Sequence, residues 1–377
     1  MRVLQVMEST IGGTRRHIVD VTRGLLREGV ETHLVASAER EPAFREDLTA
    51  LEAEGARVTM LPMVREVSPV TDYGHYRSLK RILRDVRPDI IHTHSSKAGV
   101  LGRRASLATG VGQRVHTPHT FAFLFSAMFS PGKRAIYRCI ESHLGARTDR
   151  MVAVSESEAE TIRAAGVIAG ERVRVVANGI EASDWLAGEG LSRAGLGVPE
   201  SAPLALLAGL LNSAKGQDLA IRALAEPGLE QLHLLLAGHG EWQAELQALA
   251  VELGTSERVH FLGWRNDLPA LMQTADLVVV PSRWEGMPYV VLEAGASAKP
   301  VVGTRVDGVR ELVVEGETGA LADVESPTDL ARAMRLVLEL SPEERQSMGG
   351  RARARVVEDY GVESMVRGLH AVYEELL

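Results

Sequence analysis

Two glutamates eight positions apart, Glu285 and Glu293, are the residues of this 377-residue chain best placed to do chemistry. They bracket a Gly-Met-Pro turn and follow an apolar stretch, residues 276–282, that is typical of a buried parallel strand. In an open α/β sheet, ligands bind at the carboxyl ends of the strands. An ionised carboxylate only accepts hydrogen bonds, so the pair predicts a site for sugar or ribose hydroxyl groups. The same spacing also fits a capped helix whose glutamates face solvent.

Two glycine-containing turns are candidates for binding phosphate groups. Gly12 and Gly13 lie where the first predicted strand ends and a helix begins. The amide groups of a helix N-terminus attract anions, although a Gly-Gly pair also fits a tight turn. Lys215 lies at a second strand-to-helix junction, residues 208–216, where its ammonium group is either a point charge on a phosphate or a solvated side chain.

Histidines follow two strands of the first half. His119 comes just after a strand, where it could donate to a phosphate or a sugar hydroxyl, or be a satisfied structural side chain. His92 and His94 alternate in a way that could suggest a metal site. We expect none, because the sequence places no third ligand beside them and His92 should point into the sheet. The chain also has no Asp-x-Asp motif, so no divalent cation is expected to bridge to a diphosphate.

The segment 121–129 contains four of the six phenylalanines and precedes Lys133 and Arg134. An apolar patch beside cations is how a protein lies on an anionic membrane; the alternative is that these rings belong to the core. Positive charge is concentrated in the first half, whereas the whole chain has a net charge of −8. No aromatic residues are interleaved with the basic ones, so no nucleic-acid partner is predicted.

The elements that must position these residues alternate between strand and helix. The predicted strands are 2–7, 31–36, 57–62, 89–93, 114–117 and 151–154, then 204–208, 232–237, 258–262, 277–280 and 301–303. The predicted helices are 15–28, 75–86, 98–109, 132–146 and 156–165, then 217–224, 242–253, 267–273, 290–298, 309–314, 328–339, 342–358 and 363–375. Such alternation predicts two doubly wound, Rossmann-like parallel sheets.

Length supports this division, because 377 residues suit two domains better than one core. Residues 173–180 predict a short strand ending in an Asn-Gly turn, and we place the hinge at 178–186.

The single cysteine, Cys139, fits a reducing cytosol. The N-terminus runs into a strand without a basic-then-apolar leader, and no apolar run reaches the length of a membrane span. A cytoplasmic protein is therefore expected, with a peripheral position on the inner membrane face as a further expectation.

The chain resembles the retaining nucleotide-sugar glycosyltransferases of family 4, which have the two-domain GT-B fold. The resemblance rests first on Glu-Gly-Met-Pro-x-x-x-x-Glu-Ala at 285–294, and on Gly-Gly-x-x-Arg-His at 12–17. The segment 177–181 is similar to the family's Pro-Asn-Gly-Ile-Asp element, and 117–123 to its His-Gly-Phe-x-Phe element. The resemblance implies two Rossmann-like domains facing across a cleft. The acceptor domain would comprise residues 1–182 together with the last helix, 363–377, and the nucleotide-sugar domain would comprise residues 183–362.

The resemblance also implies roles for individual residues. Glu285, Lys215 and His119 would be catalytic. Glu285 would hold the sugar hydroxyls together with the backbone at Gly286, Met287 and Pro288. The donor site would be completed by residues that bind the ribose and the diphosphate, namely Glu293, Gly12 and Gly13. The co-substrate would be a UDP-type or GDP-type sugar, with no further cofactor and no metal.

The segment 91–103 resembles the His-Thr-His-x-Ser-Lys-Ala-Gly stretch of bacterial members that build saccharides on polyprenyl diphosphate. This implies an acceptor site formed by Ser95, Ser96, Lys97 and Arg103. A lipid-linked or membrane-proximal acceptor in cell-envelope glycan synthesis is the expectation. A soluble small-molecule acceptor, a nucleotide-sugar epimerase of the same fold and a catalytically weakened partner subunit remain the alternatives.

Two positions depart from the family pattern. Leu210 replaces the arginine of Gly-Arg-Leu-x-x-x-Lys-Gly, and Thr120 replaces the glycine of His-Gly-Phe. Loss of the arginine removes a fork-shaped donor from the diphosphate. The cations that could substitute for it are Arg15, Arg16 and Arg283.

Overall fold

Strands and helices alternate along the chain, which the computed structural model describes over residues 1–125, 128–186 and 189–377. The chain forms two units, Met1–Gly179 with Val362–Leu377, and Ile180–Gly361. The domain limits predicted from the sequence differ from these by a few residues. No helix within the described ranges is long and apolar enough to cross a membrane.

The first unit is built on a seven-stranded sheet in the order β3-β2-β1-β4-β5-β6-β7. Its strands are β1 (Arg2–Met7), β2 (Glu31–Ala36), β3 (Arg57–Met60), β4 (Ile90–His94), β5 (Gln113–Thr117), β6 (Arg150–Ala153) and β7 (Val173–Val175). All of their pairings are parallel. Strand order reverses between β1 and β4, where Met7 pairs with His94. The loops after these two strands are therefore neighbours at the edge where α/β sheets bind ligands.

Seven helices of the described chain cover this sheet. They are α1 (Gly13–Arg27), α2 (Phe44–Ala53), α3 (Pro69–Val86), α4 (Ser96–Thr109), α5 (Pro131–Gly145), α6 (Glu156–Ala165) and the last helix of the chain, Val362–Glu374. That last helix packs its apolar face, which includes Met365, Leu369 and Tyr373, into a core shared with Val21 and Leu25 of α1. It therefore belongs to the first unit although it ends the chain.

The second unit is built on a six-stranded sheet in the order β10-β9-β8-β11-β12-β13. Its strands are β8 (Leu204–Ala208), β9 (His233–Ala237), β10 (Val259–Gly263), β11 (Leu277–Val280), β12 (Val301–Thr304) and β13 (Gly319–Ala322). All pairings between them are parallel. Here the order reverses between β8 and β11, so the loops that follow these two strands meet.

Seven α-helices of the described residues belong to the second unit. They are α7 (Gln217–Ala223), α8 (Gln243–Glu252), α9 (Leu268–Thr274), α10 (Tyr289–Ala296), α11 (Val309–Leu312), α12 (Pro327–Leu338) and α13 (Pro342–Asp359). The last helix of the chain, Val362–Glu374 of the first unit, is α14. Ser326 accepts a hydrogen bond from the amide of Asp329, and Ser341 with Glu344 forms a capping box. The predicted architecture of two doubly wound parallel sheets is confirmed. The helix α2 and the strand β13 lie outside the predicted elements.

Candidate functional site

The loops that follow β8 and β11 bring together two side chains that are seventy positions apart. Lys215 Nζ donates to Glu285 Oε1 at 2.7 Å, and Ser282 Oγ donates to the same oxygen at 2.8 Å. The Glu285 side chain is 12% exposed and that of Lys215 is 27% exposed. A cation and an acceptor therefore lie side by side, partly shielded from water, at the switch point of the second sheet.

The backbone of the two loops makes this contact close. Gly216 has φ +66°, and a Cβ added there would lie 2.0 Å from the carbonyl oxygen of Pro281. The amide of Arg283 donates to the carbonyl of Ala214 at 2.8 Å. Only glycine fits at position 216, and it lets the strand-to-helix turn that carries Lys215 lie directly on the loop that carries Glu285.

The backbone segment predicted to bind the sugar is buried, and Gly308 packs closely against it. Gly286, Met287 and Pro288 are buried, and a Cβ on Gly308 would lie 2.4 Å from the carbonyl oxygen of Gly286. Pro288 immediately precedes α10, and Glu293 lies half-buried on that helix. The two glutamates therefore belong to one continuous loop-and-helix segment at the carboxyl edge of the sheet.

Arg283 is held by two carboxylates rather than directed at a ligand. Its guanidinium group makes two 2.8 Å bonds to the carboxylate of Asp218, and its Nε donates to Glu325 at 2.6 Å. These bonds, that to Asp218 first, raise the pKa of Arg283 above its ordinary value. The other two cations considered as replacements for the family arginine are also paired, Arg15 with Asp47 at 2.6 Å and Arg16 with Asp20 at 3.5 Å. Leu210 itself is half-buried.

In the first unit, the predicted glycine turn opens a long helix. Gly12 is the N-cap of α1, which runs for 15 residues, and Gly13 is its first residue. Both glycines are exposed. The amide groups at this end face a position where an anion would be stabilised by the helix dipole.

Histidines from three elements converge behind this turn. His94 Nδ1 lies 3.3 Å from His119 Nε2, and the ring of His17 lies 4.7 Å from that of His119. The expectation that His92 and His94 have no third ligand nearby is therefore wrong for His94, which lies between His17 of α1 and His119 of the loop after β5. His92 is buried in the sheet, as expected, between Tyr373 and Thr117. Burial lowers the pKa of all four rings below the ordinary value.

A carboxylate holds the turn that carries His119. Both His119 and Thr120 have positive φ angles, +49° and +79°, which cost free energy for residues with a Cβ. Glu158, buried on α6, accepts hydrogen bonds from the amide of Thr120 at 2.7 Å and from that of Val154 at 2.8 Å. The strained turn is thus fixed to the neighbouring strand β6 and helix α6.

The predicted acceptor residues lie in two different environments. Ser95, with φ +59°, and the exposed Ser96 lie at the start of α4 beside the carboxyl end of β4. Lys97 Nζ donates to Asp72 at 2.6 Å and to the carbonyl of Glu66. The lysine is therefore already paired with α3, while the serines lie at the sheet edge.

Arg103 does not reach the surface. Its side chain is 0% exposed and donates to Glu141 at 2.7 Å, linking α4 to α5. A group with no exposed surface cannot contact an acceptor in this structure. The predicted acceptor role of Arg103 is therefore replaced by a structural one.

The aromatic segment divides between core and surface. Phe121 and Phe123 are buried and stacked at 4.8 Å, whereas Leu124 is exposed. Ser126 and Ala127 of the segment lie outside the described residues. Of the predicted apolar segment, Leu124 is therefore on the surface. Ile136 and Ile140 of α5, which lie outside that segment, are also exposed among basic residues.

Sequence reasoning missed several polar residues at the carboxyl edge of the first sheet. Glu8, which follows β1, is 4% exposed, and burial raises its pKa. Gln5, Asn178 and Glu158 contact or support the histidines. The only sequence signal for Glu8 was its position directly after a strand. Gln5, Asn178 and Glu158 gave no signal, because each contacts a residue far away in the chain.

Two family models match the chain, one on each unit. Residues 11–184 match the model described as Glycosyltransferase Family 4, and residues 190–355 match the model described as Glycosyl transferases group 1. Together they cover most of the chain, including Gly12, His119, Lys215 and the segment 285–293.

Curated relatives match over nearly the whole length. A D-inositol 3-phosphate glycosyltransferase of Thermomonospora curvata is 31% identical over 405 residues, covering 96% of this chain and 90% of the relative. The UDP-Gal:alpha-D-GlcNAc-diphosphoundecaprenol alpha-1,3-galactosyltransferase of Escherichia coli is 25% identical, covering 88% of this chain and 87% of the relative.

Solved structures share the fold over their full length. A sucrose-phosphate synthase from Thermosynechococcus elongatus superimposes with a TM-score of 0.84 at 21% identity, covering 100% of this chain and 99% of that one. The Anabaena protein HepE, solved with UDP-glucose, gives a TM-score of 0.83 at 24% identity, with 100% of both chains covered. The chain therefore belongs to the glycosyltransferases that join a family 4 domain to a group 1 domain in the GT-B fold.

Proposed function

We propose that this glycosyltransferase is anomer-retaining and metal-independent, and that it moves a hexose-type sugar, either a hexose or an N-acetylhexosamine, from a nucleotide diphosphate sugar. The observation that carries the proposal is the contact between Lys215 and Glu285 at the switch point of the second sheet. Glycosyl transfer develops negative charge on the leaving phosphate and oxocarbenium character on the sugar. A fixed cation and a carboxylate acceptor in a partly water-shielded loop suit those two charges.

The donor is best supported as a UDP sugar, with a GDP sugar as the alternative. The Escherichia coli relative is named for UDP-Gal, and HepE was solved with UDP-glucose. In our proposal, Glu285 and the backbone of Gly286, Met287 and Pro288 hold the sugar, and Glu293 holds the ribose. The leaving phosphate takes the acceptor proton, so no protein base is required.

The diphosphate would be held by Lys215 and by the helix start at Gly12 and Gly13. His119, neutral because burial lowers its pKa, would donate to a phosphate or sugar hydroxyl. Leu210 stands in place of an arginine, and the three replacement candidates are paired with carboxylates that have no proposed role in the site. Lys215, whose partner Glu285 belongs to the proposed site, would therefore carry most of the positive charge. Low measured activity would therefore favour the alternative hypothesis of a catalytically weakened transferase or binding subunit.

The acceptor is proposed to carry phosphate and to be lipid-linked or membrane-proximal, in cell-envelope glycan synthesis. Support comes from the polyprenyl-diphosphate name of the Escherichia coli relative, from Ser95 and Ser96 at the sheet edge, and from the exposed apolar and basic face of α5. Such an enzyme would work on the cytoplasmic membrane face. The second candidate is a soluble acceptor, favoured by the relative named for D-inositol 3-phosphate.

The donor is tested by thermal unfolding of the purified chain with UDP, GDP and their sugars. A ligand at 100 times its dissociation constant stabilises the folded state by about 2.7 kcal/mol. We expect one nucleotide series to raise the midpoint and Glu293→Ala to remove the shift. No shift with any nucleotide would overturn the proposal.

The acceptor and the stereochemistry are tested by transfer from the identified donor. Parallel reactions would contain a polyprenyl-diphosphate sugar in detergent, the same lipid in anionic vesicles, or inositol phosphate. The anomeric configuration of the product, read by NMR, decides retention against inversion. Product from inositol phosphate alone would replace the lipid acceptor by the soluble one.

A further inference from the structure

Three histidines of the first unit surround a common point. One ring nitrogen from each of His17, His94 and His119 lies within 4.8 Å of the others. The 3.3 Å between His94 Nδ1 and His119 Nε2 is about the separation of two nitrogens bound to one tetrahedral ion at roughly 2.0–2.1 Å. Over residues 1–125, 128–186 and 189–377, this is the one group of three or more ligand side chains with such spacing.

Amide oxygens fix the orientation of two of these rings. His17 Nδ1 lies 3.0 Å from Asn178 Oδ1, and His94 Nε2 lies 2.7 Å from Gln5 Oε1. An amide oxygen only accepts, so those ring nitrogens carry the protons. The lone pair of His17 Nε2 is then left for the common point, and that of His94 Nδ1 faces His119 Nε2 at 3.3 Å. Second ring nitrogens held by such acceptors are typical of histidine metal ligands.

His17 supplies an independent indication of a ligand at this point. Its side chain is 2% exposed, and its Nε2 has no hydrogen-bond partner in the described part of the chain. A buried polar atom without a partner is costly. His94 is fully buried, whereas His119 is partly exposed, so access is from the side of His119.

We propose that His17, His94 and His119 bind a zinc-class divalent cation and that the bound ion inhibits sugar transfer. Three imidazoles suit zinc, copper or nickel rather than magnesium or calcium, which prefer oxygen ligands. A fourth position on the His119 side stays open to water.

Inhibition follows from the double use of His119. In the proposed function the ring of His119 donates to the nucleotide sugar, and the nitrogen we assign as donor is Nε2, which lies 3.3 Å from His94 Nδ1. Once Nε2 is bound to a cation it has no proton to donate. The inhibitory half of the proposal therefore rests on the proposed function, whereas binding of the ion does not.

Binding is tested on the full chain after removal of metal by a chelator. Cobalt(II) is titrated while its visible absorption is recorded, and zinc is then added to displace it. We expect one cobalt per chain with an intense tetrahedral spectrum, lost on adding zinc. His17→Ala removes a direct ligand and should weaken binding by more than the roughly 10-fold to 100-fold that loss of an outer-shell partner costs. Should that variant fail to fold by circular dichroism, His17→Gln serves instead.

His260→Ala is the matched control. His233 Nδ1 and His260 Nε2 form another stacked histidine pair at 2.9 Å, but the pair has no third ligand among the described residues. Its loss should leave the cobalt spectrum unchanged. An octahedral spectrum of low intensity in the wild type, or equal binding by His17→Ala, would overturn the metal site.

Transfer is then measured with and without zinc. Zinc should inhibit the wild type at the concentration at which it displaces cobalt. Full activity of the zinc-loaded wild type would overturn inhibition and leave the binding result standing. A wild type with no transfer at all would contradict the proposed function, and the cobalt spectrum alone would then decide the site.

Discussion

Lys215 Nζ lies 2.7 Å from Glu285 Oε1, so the cation proposed for the diphosphate is held by the carboxylate proposed for the sugar. The pair keeps both side chains in place before a donor arrives. A bound nucleotide sugar would bring its own negative charge to Lys215 and its own hydroxyl groups to Glu285. The resting contact thus positions each group for its separate role.

Glu285→Ala should abolish transfer while the fold stays intact. Removing an electrostatic group from such a site typically costs about 10²–10³ in kcat, and here the sugar loses its acceptor as well. Ser282→Ala, which removes only the hydroxyl that donates to the same oxygen, is the control and should cost less. Both variants are compared by kcat and by thermal midpoint. Turnover at the wild-type level in Glu285→Ala would contradict the proposed role of Glu285 in transfer.

Leu210→Arg should strengthen donor binding. The half-buried Leu210 occupies the position of the family arginine, and one charge-assisted hydrogen bond is worth about 1.5–3 kcal/mol, or roughly ten-fold or more in affinity. The measurement is the dissociation constant of the nucleotide diphosphate, with Leu210→Met as control. Equal affinity in the two variants would mean that another cation already fills the place.

Thr120→Gly should stabilise the protein by about 1 kcal/mol. Thr120 has φ +79°, which is unfavourable for a β-branched residue and open to glycine. The bond from its amide to Glu158 does not depend on the side chain. Urea unfolding gives the difference. Thr120→Ala keeps a Cβ at the same φ and should show little of the gain, so a full gain with alanine would point away from backbone strain.

Arg103→Ala should destabilise the first unit by about 3–5 kcal/mol, because it leaves the buried carboxylate of Glu141 without its partner. The double variant Arg103→Leu with Glu141→Leu should recover much of this loss. Free energies of unfolding are the readout. The KM for acceptor should not change in folded protein, and a selective rise in that KM would restore the acceptor role.

Tyr373→Phe should lower stability by about 1–3 kcal/mol. Tyr373 Oη and His92 Nδ1 lie 2.6 Å apart and are both buried, so loss of the hydroxyl leaves a buried ring nitrogen unpaired. Thermal unfolding is compared with that of His370→Ala, which changes a partly exposed residue on the same helix. Equal effects would mean that the hydrogen bond contributes little to docking of α14.

Local pattern was enough for most elements of the fold. Apolar runs predict the central strands because strands of a parallel sheet are covered on both faces, and β1, β2, β8 and β11 begin and end as expected. The helix α2 has buried residues at helical spacing, Phe44, Leu48 and Leu51, and was missed nonetheless. The strand β13, Gly-Ala-Leu-Ala, carries no strand preference of its own and is ordered by its pairing with β12.

The sequence by itself determined which segments carry chemistry, because a glycine turn or a glutamate directly after a predicted strand must lie at the carboxyl edge of a sheet. The tertiary structure decided which of them meet. Strand order sets Lys215 against Glu285 and His94 between His17 and His119, and it pairs Arg283 and Arg103 with distant carboxylates. Contacts between residues far apart in the chain depend on which strands are neighbours, and no local pattern encodes that order.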